Sequence, residues 1–147
     1  MKEFKDCIEF ANQNPMCYMA TNEGDQPRVR AMGMYEANEK GFTFHTGLTK
    51  ALAKQLASNQ KIEVIFHHMD NPEDLGTILR VSGIVQVLED TDLRGRILED
   101  RPFLKEFITG PEDKNLHVFR IYKGEAYFWT MADNGREAEI PRINFGN

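Results

Sequence analysis

The spacing of apolar positions changes period several times along the chain, and each change marks an element. Phe4, Ile8 and Ala11, with Cys7 beside them, form the apolar stripe of a short helix. Asn14-Pro15 stops it, because the residue before a proline is steered out of the helical region. Residues 16–21 then read as a short strand, closed by the polar, turn-forming residues 22–27. In the returning strand, residues 28–35, Arg28, Arg30, Met32 and Met34 share one face, while Val29, Ala31, Gly33 and Tyr35 share the other. Residues 37–41 make the next turn.

The sharpest change lies between residues 41 and 56. Phe42, Phe44 and Thr46 alternate with Thr43 and His45 as a half-buried strand does, whereas Leu48, Leu52 and Leu56 recur at helical spacing. A strand therefore gives way to a helix within about four residues. Further on, residues 61–69 form a strand with Ile62, Val64 and Phe66 on one face and Glu63, Ile65 and His67 on the other. Residues 70–74 form a loop, and residues 77–88 are expected to be the longest strand, with Gly83 placed for a bulge or bend. Asp90 caps a helix through about Asp100, which Arg101-Pro102 breaks. Phe103, Phe107 and Ile108 predict a further helical turn or two before Gly110-Pro111.

Two final strands are expected, residues 116–122 and 125–130, joined at Lys123-Gly124, with Trp129 at the end of the second. Residues 131–147 form a polar tail with Ile140, Ile143 and Phe145 as anchors, able to dock on the body or on a second subunit. About six or seven antiparallel strands joined by hairpins, with a long bent strand among them, favour closure, because closure removes exposed edges. The expected fold is an all-β barrel with peripheral helices, one domain spanning residues 1–147.

Composition narrows the function classes. With 41% hydrophobic residues, 28% charged and a net charge of -5, the chain reads as a soluble globular protein long enough to bury a core. It carries neither an apolar run long enough to span a bilayer nor an apolar signal segment at its start, so a cytoplasmic protein without a membrane partner is expected. Mild acidity without a basic run argues against nucleic acid. Cys7 and Cys17 form neither a C-x-x-C motif nor a disulfide framework and are expected to be buried free thiols. Glu63 and His67 are too few to hold a metal, and no metal site is expected.

Two places carry chemistry. Thr46, Gly47, Thr49 and Lys50 combine hydroxyls, a permissive backbone position, an expected N-cap at Thr49 and a cation, at a helix start whose free N–H groups favour an anion. The same residues would also serve an ordinary capped helix with a solvated lysine. Arg30, beside Met32 on one strand face, is placed either to fork onto a phosphate at the edge of a pocket or to stand in water at a sheet edge.

In order along the chain, Pro27-x-x-Arg30-x-Met32, Phe44-x-Thr46, Thr49-Lys50, Gln55-Leu56 and Tyr127-Phe128-Trp129 resemble the pyridoxamine 5'-phosphate oxidase-like family of FMN-binding split barrels, from Met16 to about Asp133. The resemblance implies an antiparallel split β-barrel in which Arg30 helps hold the FMN phosphate and Ala31 and Met32 line the flavin. It places His45 and Thr46 against the flavin, Thr49 and Lys50 on the phosphate, and Trp129 against FMN from the interface of a homodimer. Two departures stand out. The phosphate loop is shortened to Thr49-Lys50, one basic contact fewer than the family often has. The Arg-x-His substrate motif that follows the tryptophan in true pyridoxine-phosphate oxidases is missing from residues 130–137, so the resemblance does not extend to pyridoxamine phosphate as substrate.

The resemblance thus implies a homodimeric FMN-dependent oxidoreductase acting on a small molecule, or drawing on a donor such as NAD(P)H, with no protein acid or base assigned. Arg30, Lys50 or a protonated His45 would favour the reduced flavin. A second class is a protein that stores, senses or sequesters FMN, a deazaflavin or a tetrapyrrole without turnover. A third is a flavin-free barrel used for protein contacts.

Overall fold

The computed structural model describes residues 1–147. Its elements run α1 (Phe4–Gln13), β1 (Met16–Glu23), β2 (Gln26–Gly33), β3 (Glu36–Asn38), β4 (Gly41–Gly47), α2 (Ala51–Ser58), β5 (Lys61–His68), β6 (Thr77–Val87), α3 (Thr91–Asp100), a 3-10 turn (Pro102–Glu106), β7 (Leu116–Trp129) and β8 (Ile143–Phe145). All the strands pair antiparallel in the order β2-β1-β5-β6-β7-β4-β3, with β8 added to β7. The chain is an antiparallel split barrel, all-β with peripheral helices.

Curvature comes from the long pair β6 and β7. Ile84 faces Lys123 but Val85 faces Ile121, so Tyr122 is skipped and the ladder bends beside Gly83. The backbones nearly touch at that crossing. A Cβ on Gly124 would lie 2.0 Å from the Ser82 carbonyl oxygen, and one on Gly83 would lie 2.2 Å from that of Lys123. Only glycine fits at either place. The same residue pair corrects the expectation of two final strands. Lys123-Gly124 is not a turn but the middle of one strand, β7, which at 14 residues exceeds the 11 of β6 and is the longest in the fold. A glycine that permits close crossing leaves the same trace in a sequence as one that permits a turn.

Phe42, Phe44, Phe66 and Phe119 fill the barrel with Met19, Met34, Val64, Leu79 and Val81, all fully buried. Helix α1 covers one end: Cys7 and Ala11 are buried there, and the Asn12 side chain both donates to the Ala37 carbonyl and accepts from its N–H, each at 2.9 Å. Cys7 and Cys17 are free, and burial pushes both thiols up to about 12. The tail docks on the body: Phe145 is buried and stacks on Phe4 at 4.8 Å. A smaller core joins Leu93, Ile97 and Leu98 of α3 to Ile108, Leu116 and Val118.

The outer face of the sheet is unusual. Met16, Tyr18 and Val29 stand 66%, 55% and 71% exposed there; Val29 pairs with Ala20, and the register runs from Ala31 through Tyr18 to Ile65. Ile78 and Trp129 pair on the same side, across from His67. No helix is long and apolar enough to cross a membrane.

Candidate functional site

Strand β4 delivers His45 and Thr46 to the start of α2. Leu48 N–H donates to the Asn115 carbonyl and Lys50 N–H to that of Gly47, both at 3.0 Å, and these bonds fix the turn between strand and helix. The N-cap of α2 is Lys50, one residue later than expected, and no side chain caps the helix. Thr49 lies outside the helix and its side chain is free for another use. By contrast, α1 has a capping box of Glu3 and Asp6, and α3 is capped by the Asp90 carboxylate. The positive end of α2 is therefore left open beside a lysine.

That helix start faces a cavity of about 510 Å³ lined by His45, Thr46, Gly47, Leu48, Thr49 and Lys50 on one side. Phe103, Leu104, Phe107, Ile108, Asn115 and Leu116 line the other. Four residues singled out from sequence, His45, Thr46, Thr49 and Lys50, thus meet in one place.

Arg30 is held close by but does not line this cavity. Its Nη1 donates to Thr21 Oγ1 at 2.7 Å and to the Met19 carbonyl at 3.4 Å, and its Nη2 donates to Gln55 Oε1 at 2.7 Å. Thr21 Oγ1 in turn donates to Gln55 Oε1 at 2.6 Å, closing a triangle. Every acceptor is uncharged, so the guanidinium keeps its full positive charge in a half-buried position. Gln55 sits on α2 five residues after Lys50, about 7.5 Å along the axis at the usual helical rise. One short helix therefore carries Lys50 at its start and holds Arg30 through Gln55 further along.

The structure separates the remaining expected residues from the cavity. Met32 lies on the core-facing side with its carbonyl accepting from Cys17 Sγ at 3.4 Å, while Ala31 is exposed on the outer face. Trp129 is half-buried at the far end of β7, opposite Ile78. Alternation along β2 forces Ala31 and Met32 apart, so a single chain does not present both to one ligand.

Three contributors were not legible in these roles. Arg101 looked like a helix stop, yet its Nη1 donates to His45 Nε2 at 2.7 Å and to the Gly33 carbonyl at 3.2 Å, and its Nη2 donates to the Met34 carbonyl at 2.8 Å. Because arginine only donates, Nε2 accepts and the imidazole proton sits on Nδ1. Burial, then the charges of Arg101 and Lys50, push His45 down to about 4. In the chain by itself His45 is therefore neutral near neutral pH, which leaves Arg30 and Lys50, of the three groups named from the sequence, as standing positive charges. Gln55 and Thr21 escaped notice as partners because they are 34 residues apart, and no periodicity signals a side-chain triangle.

The family model described as pyridoxamine 5'-phosphate oxidase matches residues 2–130. A pyridoxine/pyridoxamine 5'-phosphate oxidase from Shewanella sp. (strain W3-18-1) is 27% identical over 93% of this chain and 62% of its own length. The chain spans less than two thirds of the curated relatives it matches. Among solved structures, a NimC/NimA family protein from Clostridium acetobutylicum aligns with a TM-score of 0.75 at 27% identity, covering 96% of this chain and 92% of that one. HutZ, a heme-storage protein from Vibrio cholerae, aligns with a TM-score of 0.65 at 14% identity over 88% and 95%, a likeness of fold alone. With the match running from residue 2 to residue 130 of an antiparallel split barrel, the chain belongs to the pyridoxamine 5'-phosphate oxidase family.

Proposed function

We propose that the chain is an FMN-dependent oxidoreductase that works as a homodimer. The observation that carries this reading is the open start of α2, where Thr46, Thr49 and Lys50 line one cavity and Arg30 is tied to the same helix through Gln55. The donor set suits a phosphate: unpaired helix N–H groups, two hydroxyls, one ammonium and a guanidinium whose acceptors are all uncharged. Thr49 and Lys50 would hold the phosphate, with Arg30 adding charge from beside Gln55, and His45 and Thr46 would border the ring system. A bound flavin would supply hydride and electron transfer. The chain's own part is to bind, to orient and to keep His45 as a neutral hydrogen-bonding group.

The homodimer accounts for what one chain leaves apart. Met16, Tyr18 and Val29 form an exposed apolar face of the kind that marks protein contacts, and Trp129 lies on that side of the sheet. A second copy seated there would carry its Trp129 toward the first chain's site. Two unpaired, buried cysteines suit a reducing compartment, and we place the protein in the cytoplasm.

The test begins with the absorption spectrum of the purified protein and the identity of any chromophore released on denaturation. Lys50→Ala should then weaken FMN about 10- to 100-fold while changing riboflavin less than about threefold, because the lost charge-assisted bond, about 1.5–3 kcal/mol, faces a phosphate that only FMN has. Equal losses for the two ligands would reject the assignment. Anaerobic addition of NADH or NADPH separates turnover from storage, since a flavin that stays oxidised with both and passes electrons to no acceptor belongs to a storage or sensing protein.

A further inference from the structure

The cavity has a second wall of different chemistry. The 3-10 turn after α3 places Phe103 and Phe107 four residues apart, both lining it. The two rings remain 60% and 71% exposed, although the segment that bears them is firmly held. Ile108 is buried in the smaller core, Leu104 packs against that core, and Arg101 fixes the start of the turn through the Gly33 and Met34 carbonyls. Folding thus holds two phenyl rings at the cavity mouth with their apolar area in water, and a flat occupant would cover it.

Charge decides what kind of occupant fits. Lys50 is the one full cation in the lining, and no carboxylate lines it. Arg101 is half-buried outside the lining and donates to His45 and two carbonyls, at 2.7 to 3.2 Å. With Lys50 committed to the cofactor phosphate, the lining holds no second cation for an anionic substrate.

We propose that Phe103 and Phe107 form the substrate shelf of this chain, and that it takes a flat, uncharged aromatic or heteroaromatic ring in preference to a phosphate ester. The role of that ring as substrate rests on the FMN reading above. Ring binding itself is measurable apart from it.

The experiment titrates 1-naphthol and 1-naphthyl phosphate, the same ring with and without the anion, into the FMN-loaded protein by calorimetry. Binding of 1-naphthol about tenfold tighter than the phosphate is expected, with Phe103→Ala and Phe107→Ala each weakening it about fivefold and Phe107→Tyr retaining it. Both side chains are exposed, and far-ultraviolet circular dichroism checks that the variants keep their fold. Equal or tighter binding of the phosphate, or alanine variants that bind 1-naphthol like the wild type, would overturn the shelf. FMN uptake is read separately from flavin absorbance. Its absence would remove the oxidoreductase reading; in the flavin-free chain, where Lys50 is unoccupied, the shelf is decided by whether the two alanine variants lose 1-naphthol binding and not by the comparison with the phosphate.

Discussion

Replacing Gln55 with leucine tests the triangle that couples Arg30 to α2. The side chain is buried, and its Oε1 accepts from Thr21 Oγ1 at 2.6 Å and from Arg30 Nη2 at 2.7 Å. Leucine keeps the volume and removes the acceptor. The bond from the guanidinium is worth about 1.5–3 kcal/mol and that from the neutral hydroxyl about 0.5–1.5 kcal/mol. Arg30 is only half-buried, so water replaces part of its loss, and the expected cost is about 1–3 kcal/mol of folding stability. Urea unfolding followed by Trp129 fluorescence reads it as a lower midpoint at unchanged slope. Gln55→Glu gives the complementary result: the acceptor remains and stability at neutral pH changes by less than about 1 kcal/mol, but the added carboxylate cancels the Arg30 charge. FMN affinity should then fall at least about tenfold. A leucine variant as stable as the wild type would show that the triangle does not hold Arg30. A glutamate variant with undiminished FMN affinity would show that its charge is not directed at the phosphate.

His45 makes stability depend on pH. Its folded-state value, about 4, lies below the ordinary 6.5, so between these values the unfolded chain binds a proton that the folded one does not, and stability falls as pH drops through that window. His45→Gln leaves an acceptor for Arg101 but cannot titrate, so in thermal melts the wild type should lose more stability than the variant from pH 6.5 to 4, and parallel losses would refute the assignment. At the β6–β7 crossing, Gly124→Ala should cost about 1–3 kcal/mol, because its Cβ would meet the Ser82 carbonyl; a melting temperature unchanged from the wild type would show that the strands can separate there freely.

Local pattern decided more of this protein than its low identity to relatives suggests. The alternation through Phe42, Phe44 and Thr46 and the helical run through Leu52 and Leu56 set the strand-to-helix junction, and with it the meeting of His45, Thr46, Thr49 and Lys50. These residues are neighbours in sequence, so backbone geometry alone brings them together. Asp90 as a cap and Pro15 and Pro102 as stops were equally readable, because caps and prolines act within a turn of where they stand.

Long-range contact decided the rest. Lys123-Gly124 reads as a turn until β6 is laid against it, because only the neighbouring backbone shows that glycine is required for approach and not for reversal. The neutrality of His45 depends on its burial and then on the charge of Arg101, 56 residues away, and the grip on Arg30 depends on Gln55, 25 residues away. Ala31 and Met32, adjacent in the chain, were divided by the pleat, and Trp129 was left on the outer face away from the cavity. A sequence records which groups are present and how neighbouring ones are spaced; which distant side chains share a hydrogen bond, a burial site or a charge is set when the sheet closes.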